Sequence, residues 1–96
     1  MAETIIIEID CDPALYSKVN GILGLDPSTG GGDWPKGLKT HIGSGGEGSV
    51  VVVEVWDTQA EQEAFLASRL GPALGEAGVA QPKRMEWLSL LGQHNS

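Results

Sequence analysis

Glu54 interrupts the run Val50-Val51-Val52-Val53 just before Val55 and Trp56, and it is the first residue here whose setting suggests chemistry. Alternation along a strand puts it on one face with Val50, Val52 and Trp56. If a second copy of the chain covers that face, the carboxylate is desolvated. Burial disfavours the charged form of an acid and suits it to acid–base work. The plainer role is an ion pair or hydrogen bond that satisfies a buried acid. His41 is the second candidate, because imidazole exchanges a proton near neutral pH and can shuttle one. If the hairpin joining its strand to the valine strand has an even number of loop residues, His41 shares a face with Glu54 and Trp56. An odd count or a bulge turns it to the other side. In the even register Lys39 lies across from Glu54, and that salt bridge would make the acid structural.

Trp56 and Trp87 can line a pocket for a planar apolar molecule, with Val52 on the same wall, or serve as packing anchors. Trp34 stands beside Pro35 in a glycine-rich loop, where a large apolar side chain can cap a cavity. His94, near the end of the chain, reads as solvated. Cys11 lies between Asp10 and Asp12, a setting that raises a thiol's pKa and makes it a poor nucleophile. A lone cysteine also excludes an internal disulfide, and no Cys/His spacing suggests zinc. Gly30-Gly31-Gly32-Asp33 lacks the Lys-Ser/Thr of a phosphate loop, and Gly43-Ser44-Gly45-Gly46 precedes a strand rather than a helix. No serine sits on a nucleophile elbow. The expected site therefore has no metal, nucleotide or other cofactor.

The elements that position these residues follow from the apolar pattern. Thr4 to Ile9 is a β-branched strand. Asp12 is an N-cap with Pro13 in the first helical position, and Leu15, Val19, Ile22 and Leu23 form the apolar stripe of a helix over 13–23. Gly24 caps it. Residues 26–37 read as a loop, flexible over 28–37. Leu38 to Ile42 is a second strand, Gly43 to Gly48 a turn, and Val50 to Trp56 the third strand. Thr58 and Glu61 make a capping box for a second helix, which Gly71-Pro72 should kink or break. After Gly78 and Pro82 a last strand runs from Lys83 to about Leu91, and 92–96 is a tail. The order βαββαβ predicts a single α+β domain of ferredoxin-like type, with a four-stranded antiparallel sheet and both helices on one face.

The chain has 96 residues, enough for one core. It carries 13 acidic and 6 basic residues, a formal charge of −7 spread evenly along its length. No basic stripe exists for a nucleic-acid backbone, and an anionic membrane surface would be repelled. Nothing approaches the roughly 20 apolar residues of a membrane span, and the first residues lack the pattern of a signal peptide. The expected location is the cytoplasm. Ten of the 14 glycines fall between Gly21 and Gly48, marking the crossover loop and the hairpin.

The third strand is apolar on both faces, which implies that a second layer covers the sheet, most simply another copy of the chain. In its element order, in Val53 to Phe65 and in Leu70-Gly71-Pro72-Ala73-Leu74, the chain resembles the dimeric α+β barrel superfamily. That resemblance implies a homodimer packed sheet against sheet. The superfamily includes cofactor-free monooxygenases of aromatic polyketides, haem-degrading enzymes, chlorite dismutase relatives and muconolactone isomerase-like enzymes. Residues 58–77 hold no His of the kind that ligates haem in the haem-degrading members. The Asn that those members and the monooxygenases use near the first strand is absent from Ile7-Glu8-Ile9-Asp10-Cys11. The resulting expectation is a small homodimer acting on or binding an apolar or aromatic molecule in the barrel cavity. Glu54 is its acid–base group, His41 the proton partner, and Trp56, Trp87, Val52 and Trp34 the pocket. Oxygenation, isomerisation and cyclisation all fit that equipment, as does a non-catalytic or purely structural dimer; haem binding through His41 or His94 is a third, weaker alternative.

Overall fold

The structure, a computed structural model, describes residues 2–94. Strand β1 (Glu3–Ile9) leads into helix α1 (Pro13–Leu23), which starts where the Asp12 carboxylate accepts from Ala14 N and ends at Gly24 in the left-handed conformation, φ 74°. A two-residue strand, β2 (Leu25–Asp26), pairs with β3 (Gly31–Gly32), so part of the expected loop is itself a small sheet. Next come β4 (Leu38–Gly46) and β5 (Ser49–Trp56). Helix α2 (Gln59–Phe65) begins at Thr58, whose hydroxyl accepts from Glu61 N. A π-helical turn (Leu66–Leu70) leads into α3 (Gly71–Ala77), and β6 (Arg84–Ser89) ends the sheet.

The main sheet is antiparallel with order β4-β5-β1-β6, the ferredoxin-like arrangement. Its helix-covered face carries Ile5, Ile7 and Ile9 of β1 and Val50, Val52 and Trp56 of β5, joined in one core cluster by Leu25 and Phe65. Helices α1 and α3 meet through Val19, Ala73 and Ala77.

Three sequence expectations change. Gly43 to Gly46 are paired strand residues, and the turn is Glu47-Gly48 alone. Glycine is permitted there by what faces it: a Cβ on Gly43 would collide with the Tyr16 ring, and one on Gly45 would come within 3.0 Å of Pro13. These two positions let α1 lie close against β4. The second helix breaks into α2 and α3, but the irregularity precedes Gly71-Pro72. Proline at 72 cannot donate, so the turn before it widens to π-helical hydrogen bonding. The last strand ends at Ser89, short of Leu91. Beyond it Gln93 Nε2 donates to Thr40 Oγ1 at 2.6 Å, returning the chain to the opposite edge of the sheet. Of the expected 92–96 tail, residues 95 and 96 lie outside the described residues.

Candidate functional site

The two-residue turn after Gly46 gives an even register, so His41 lies directly across from Glu54. A bulge does occur between Leu38 and Thr40, but it lies beyond His41 and does not turn it over. With His41 across from Glu54, Lys39 is not, and the bulge takes Lys39 out of the ladder altogether. The Lys39 ammonium pairs instead with Asp57 at 3.4 Å on the surface.

What covers Glu54 is also different from the expectation. Its face packs under the helices of the same protomer, because Ile5, Ile7, Val50 and Val52 share it with the Leu and Phe side chains of the helical layer. The cavity beside Glu54 therefore lies between sheet and helices, not between two sheets. On the opposite face of β5, Val51 and Val53 are only half-buried, while Val55, next to Thr40 where the chain returns, is buried.

Four side chains form a continuous chain of hydrogen bonds. His41 Nδ1 lies 2.7 Å from Glu54 Oε2, and His41 Nε2 lies 2.6 Å from the Tyr16 hydroxyl. Trp56 Nε1 donates to Glu54 Oε1 at 3.0 Å. A carboxylate only accepts, so Nδ1 carries a hydrogen toward Glu54; in the neutral imidazole Nε2 is then the acceptor for the Tyr16 hydroxyl. Both members of the central pair are largely enclosed, with side-chain exposures of 11% for His41 and 7% for Glu54. The Tyr16 ring lies within 14° of the His41 plane and meets it edge-on through the hydroxyl, with 5.9 Å between centroids, and Trp34 tilts against His41 at 5.3 Å. Burial raises the Tyr16 phenol above its ordinary value of 10.0; the nearby Asn20 amide opposes this and the Glu54 charge reinforces it. The hydroxyl thus keeps its proton through neutral pH.

This chain borders a cavity of about 70 Å³. It is lined by Tyr16, Asn20, Trp34, His41, Val52 and Glu54 among mostly aliphatic neighbours from every layer. That volume is far below the roughly 300–1,000 Å³ of pockets for drug-sized ligands, so the cavity suits a small molecule. Trp34 and His41 also line a second, outer groove together with Pro27, Gly30 and Lys39. They stand as a partition between groove and cavity. The Trp34 indole is held there by donating to Gly30 O and Gly31 O, each at 3.1 Å.

Among the residues singled out by sequence, Glu54, His41, Val52 and Trp34 come together. Trp56 is fully buried beneath Glu54 and holds it by a hydrogen bond rather than lining the cavity. Trp87 packs against the core cluster from β6, also away from the cavity lining. His94 is exposed. Cys11 borders the cavity, and its thiol is pushed up by desolvation first, then by Asp12 and Asp10. Among the described residues no group of three His, Cys, Asp or Glu side chains is placed to hold a metal ion.

Tyr16 and Asn20 are the residues sequence reasoning passed over. Both project from α1 into the cavity, and Ile22, assigned to the apolar stripe, is 39% exposed. The true inward stripe is Leu15, Tyr16, Val19, Asn20 and Leu23. The signal was available: Tyr16 and Asn20 are spaced four apart, on the same face as Val19 and Leu23.

No protein-family model and no curated protein matches the chain. Solved structures do. A candidate antibiotic biosynthesis monooxygenase from Chloroflexus aurantiacus J-10-fl superposes with a TM-score of 0.68 at 16% identity, covering 99% of this chain and 98% of that one. The NE2512 protein of unknown function from Nitrosomonas europaea gives 0.70 at 17% identity, covering 99% and 94%. Rv0793 from Mycobacterium tuberculosis gives 0.67 at 13%, covering 99% and 100%. Identity at this level carries the fold and nothing finer, but it carries the fold over the whole chain. The protein has the ferredoxin-like α+β fold, shared with these solved structures over nearly its whole length.

Proposed function

We propose that the protein binds a small apolar or aromatic molecule in the cavity between sheet and helices and moves a proton on it without a cofactor. The observation that carries this reading is the Tyr16–His41–Glu54 hydrogen-bond chain ending at an apolar cavity. An acidic O–H or C–H of the ligand gives its proton to Tyr16 Oη while the Tyr16 proton passes to His41 Nε2. The imidazolium so formed is held by the Glu54 carboxylate, and the ligand is left as its anion. Return of the proton at another carbon completes an isomerisation or cyclisation. Trp34 is the wall that must move to admit the ligand from the outer groove.

The fold shared with a candidate monooxygenase favours a second outcome for the same anion, reaction with dioxygen. A phenolic ring C–H then becomes a carbonyl, one oxygen atom staying on carbon and the other leaving as water. Dioxygen uptake with a naphthol separates this from isomerisation.

The exchange of acetylacetone's acidic C–H for deuterium, followed by NMR in heavy water, tests the proton-transfer step. The wild type should accelerate it, and Glu54→Gln should lower the acceleration about a hundredfold or more while still binding the diketone. Binding with no acceleration in either protein would leave a ligand-binding domain and overturn the catalytic reading.

The outer sheet face supports a homodimer. Ile6, Val51 and Val53 are only half-buried there, and Ile42 and Leu88 are 53% and 44% exposed. A second copy of the chain is the cover we propose for it, as in a dimeric α+β barrel.

A further inference from the structure

The hydrogen-bonding capacity of the site is almost fully taken up internally. Both Glu54 oxygens receive donors, both His41 ring nitrogens have partners, and the Tyr16 hydroxyl hydrogen is directed to His41. Two polar positions remain for a ligand. One is the Tyr16 oxygen, which can still accept. The other is Asn20 Nδ2, a buried donor close enough to the Tyr16 oxygen to favour its ionised form but making no hydrogen bond to it or to any other described residue; Asn20 is only 7% exposed and lines the cavity one helical turn beyond Tyr16. Gln62 Nε2 is likewise buried without a partner among the described residues, but Gln62 is not part of the cavity lining.

A buried amide donor without a partner is costly, and an apolar side chain of similar size would fill the same space without that cost. Such a donor is explained if a ligand supplies the acceptor. We infer that Asn20 is the specificity-determining anchor of the cavity. The ligand it selects is a small apolar molecule carrying a hydroxyl and a carbonyl oxygen on nearby carbons. The hydroxyl donates to Tyr16 Oη, and the carbonyl accepts from Asn20 Nδ2. When the hydroxyl loses its proton, the charge delocalises onto that carbonyl, where a preorganised donor stabilises it. The remaining lining is aliphatic and aromatic apart from the chain already described and Cys11, so it offers a carbonyl little else. This inference rests on the proposed reading of the cavity as a ligand site.

Three single-ring probes test it: phenol, acetophenone and meta-hydroxyacetophenone, whose hydroxyl cannot bond to its own carbonyl, with binding followed by the fluorescence of Trp34 and its neighbours. Wild-type protein should bind meta-hydroxyacetophenone about tenfold more tightly than either singly substituted ring, the gain of one added hydrogen bond. Asn20→Leu should reduce the hydroxyketone to the affinity of phenol and leave phenol unchanged. Because that variant can misfold, the side-chain amide resonances of the wild-type protein give an independent readout. The Asn20 signal should shift with acetophenone and the hydroxyketone but not with phenol. Equal affinities for phenol and the hydroxyketone, or an Asn20 amide unmoved by both carbonyl probes, would overturn the inference while leaving the cavity reading intact. Failure of all three rings to bind would overturn both.

Discussion

Replacing Glu54 by Gln changes the direction of a proton rather than the packing of the site. The glutamine amide can still accept from Trp56 Nε1 through its oxygen, but its nitrogen must then face His41 Nδ1 as a donor. The imidazole hydrogen moves to Nε2, which can no longer take a proton from Tyr16. Nitrogen chemical shifts of His41 should therefore report the opposite neutral tautomer in Glu54→Gln, with a stability loss of only about 1–2 kcal/mol. An unchanged tautomer with turnover retained would count against the relay. Tyr16 gives a second handle, because it is the sole tyrosine in the chain and tyrosinate absorbance reports it alone. Its phenol should ionise above the ordinary value of 10.0. The folded-state value is raised, so the associated stability is present below pH 10 and is lost as pH rises through the raised value. Titration at or below the ordinary value would contradict the burial that defines the site. At this scale, Glu54 and His41 were legible because each interrupts a strand pattern, and a strand has only two faces. Tyr16 and Asn20 were not, because an amphipathic helix tolerates several rotations of its apolar stripe. Only packing against β4 chooses among them.

Strand β4 makes that choice through glycine. Gly43 offers no side chain where the Tyr16 ring lies, and Gly45 none where Pro13 approaches. The glycine cluster that looks from the sequence like a turn is thus a flat strand surface on which the start of α1 rests. Its amino-acid composition gave no hint of this, since glycine is disfavoured in strands and favoured in turns. The close approach is what brings the Tyr16 hydroxyl to His41 Nε2. Gly43→Ala should lift the ring, break the bond to His41 and return the phenol toward its ordinary ionisation. The expected stability loss is about 1–3 kcal/mol, from overpacking at a buried contact. If Gly43→Ala keeps the raised Tyr16 titration and the native melting temperature, α1 is not seated on β4 in the way the site requires. The irregularity after α2 behaves differently: Pro72 was readable as an interruption, but its missing donor does not by itself say whether the helix ends or, as here, runs on through a π-helical turn.

The sheet has an apolar inner face under the helices and an apolar patch of Ile6, Ile42, Val51, Val53 and Leu88 on its outer face, and their roles are separable. The valines of β5 on both faces made a second layer legible in the sequence, but alternation alone could not say which face the helices take. The sequence reading put Glu54 under a partner; in the structure the helices of its own protomer cover it, and Ile42, Val53 and Leu88 face outward. Dimerisation and ligand binding should therefore come apart under mutation. Ile42→Lys places a charge on an already exposed position, so the protomer should fold with little loss. Covered by a second sheet, the same ammonium would be desolvated without a partner, which costs several kcal/mol and weakens association by a hundredfold or more. Sedimentation or light scattering should show a dimer for the wild type and a monomer for Ile42→Lys. The monomer should still bind small aromatic probes in the cavity, because no lining residue comes from the outer face of the sheet. A wild-type protein that is monomeric at micromolar concentration would remove the dimer. Loss of probe binding together with the dimer would return the site to the interface between sheets.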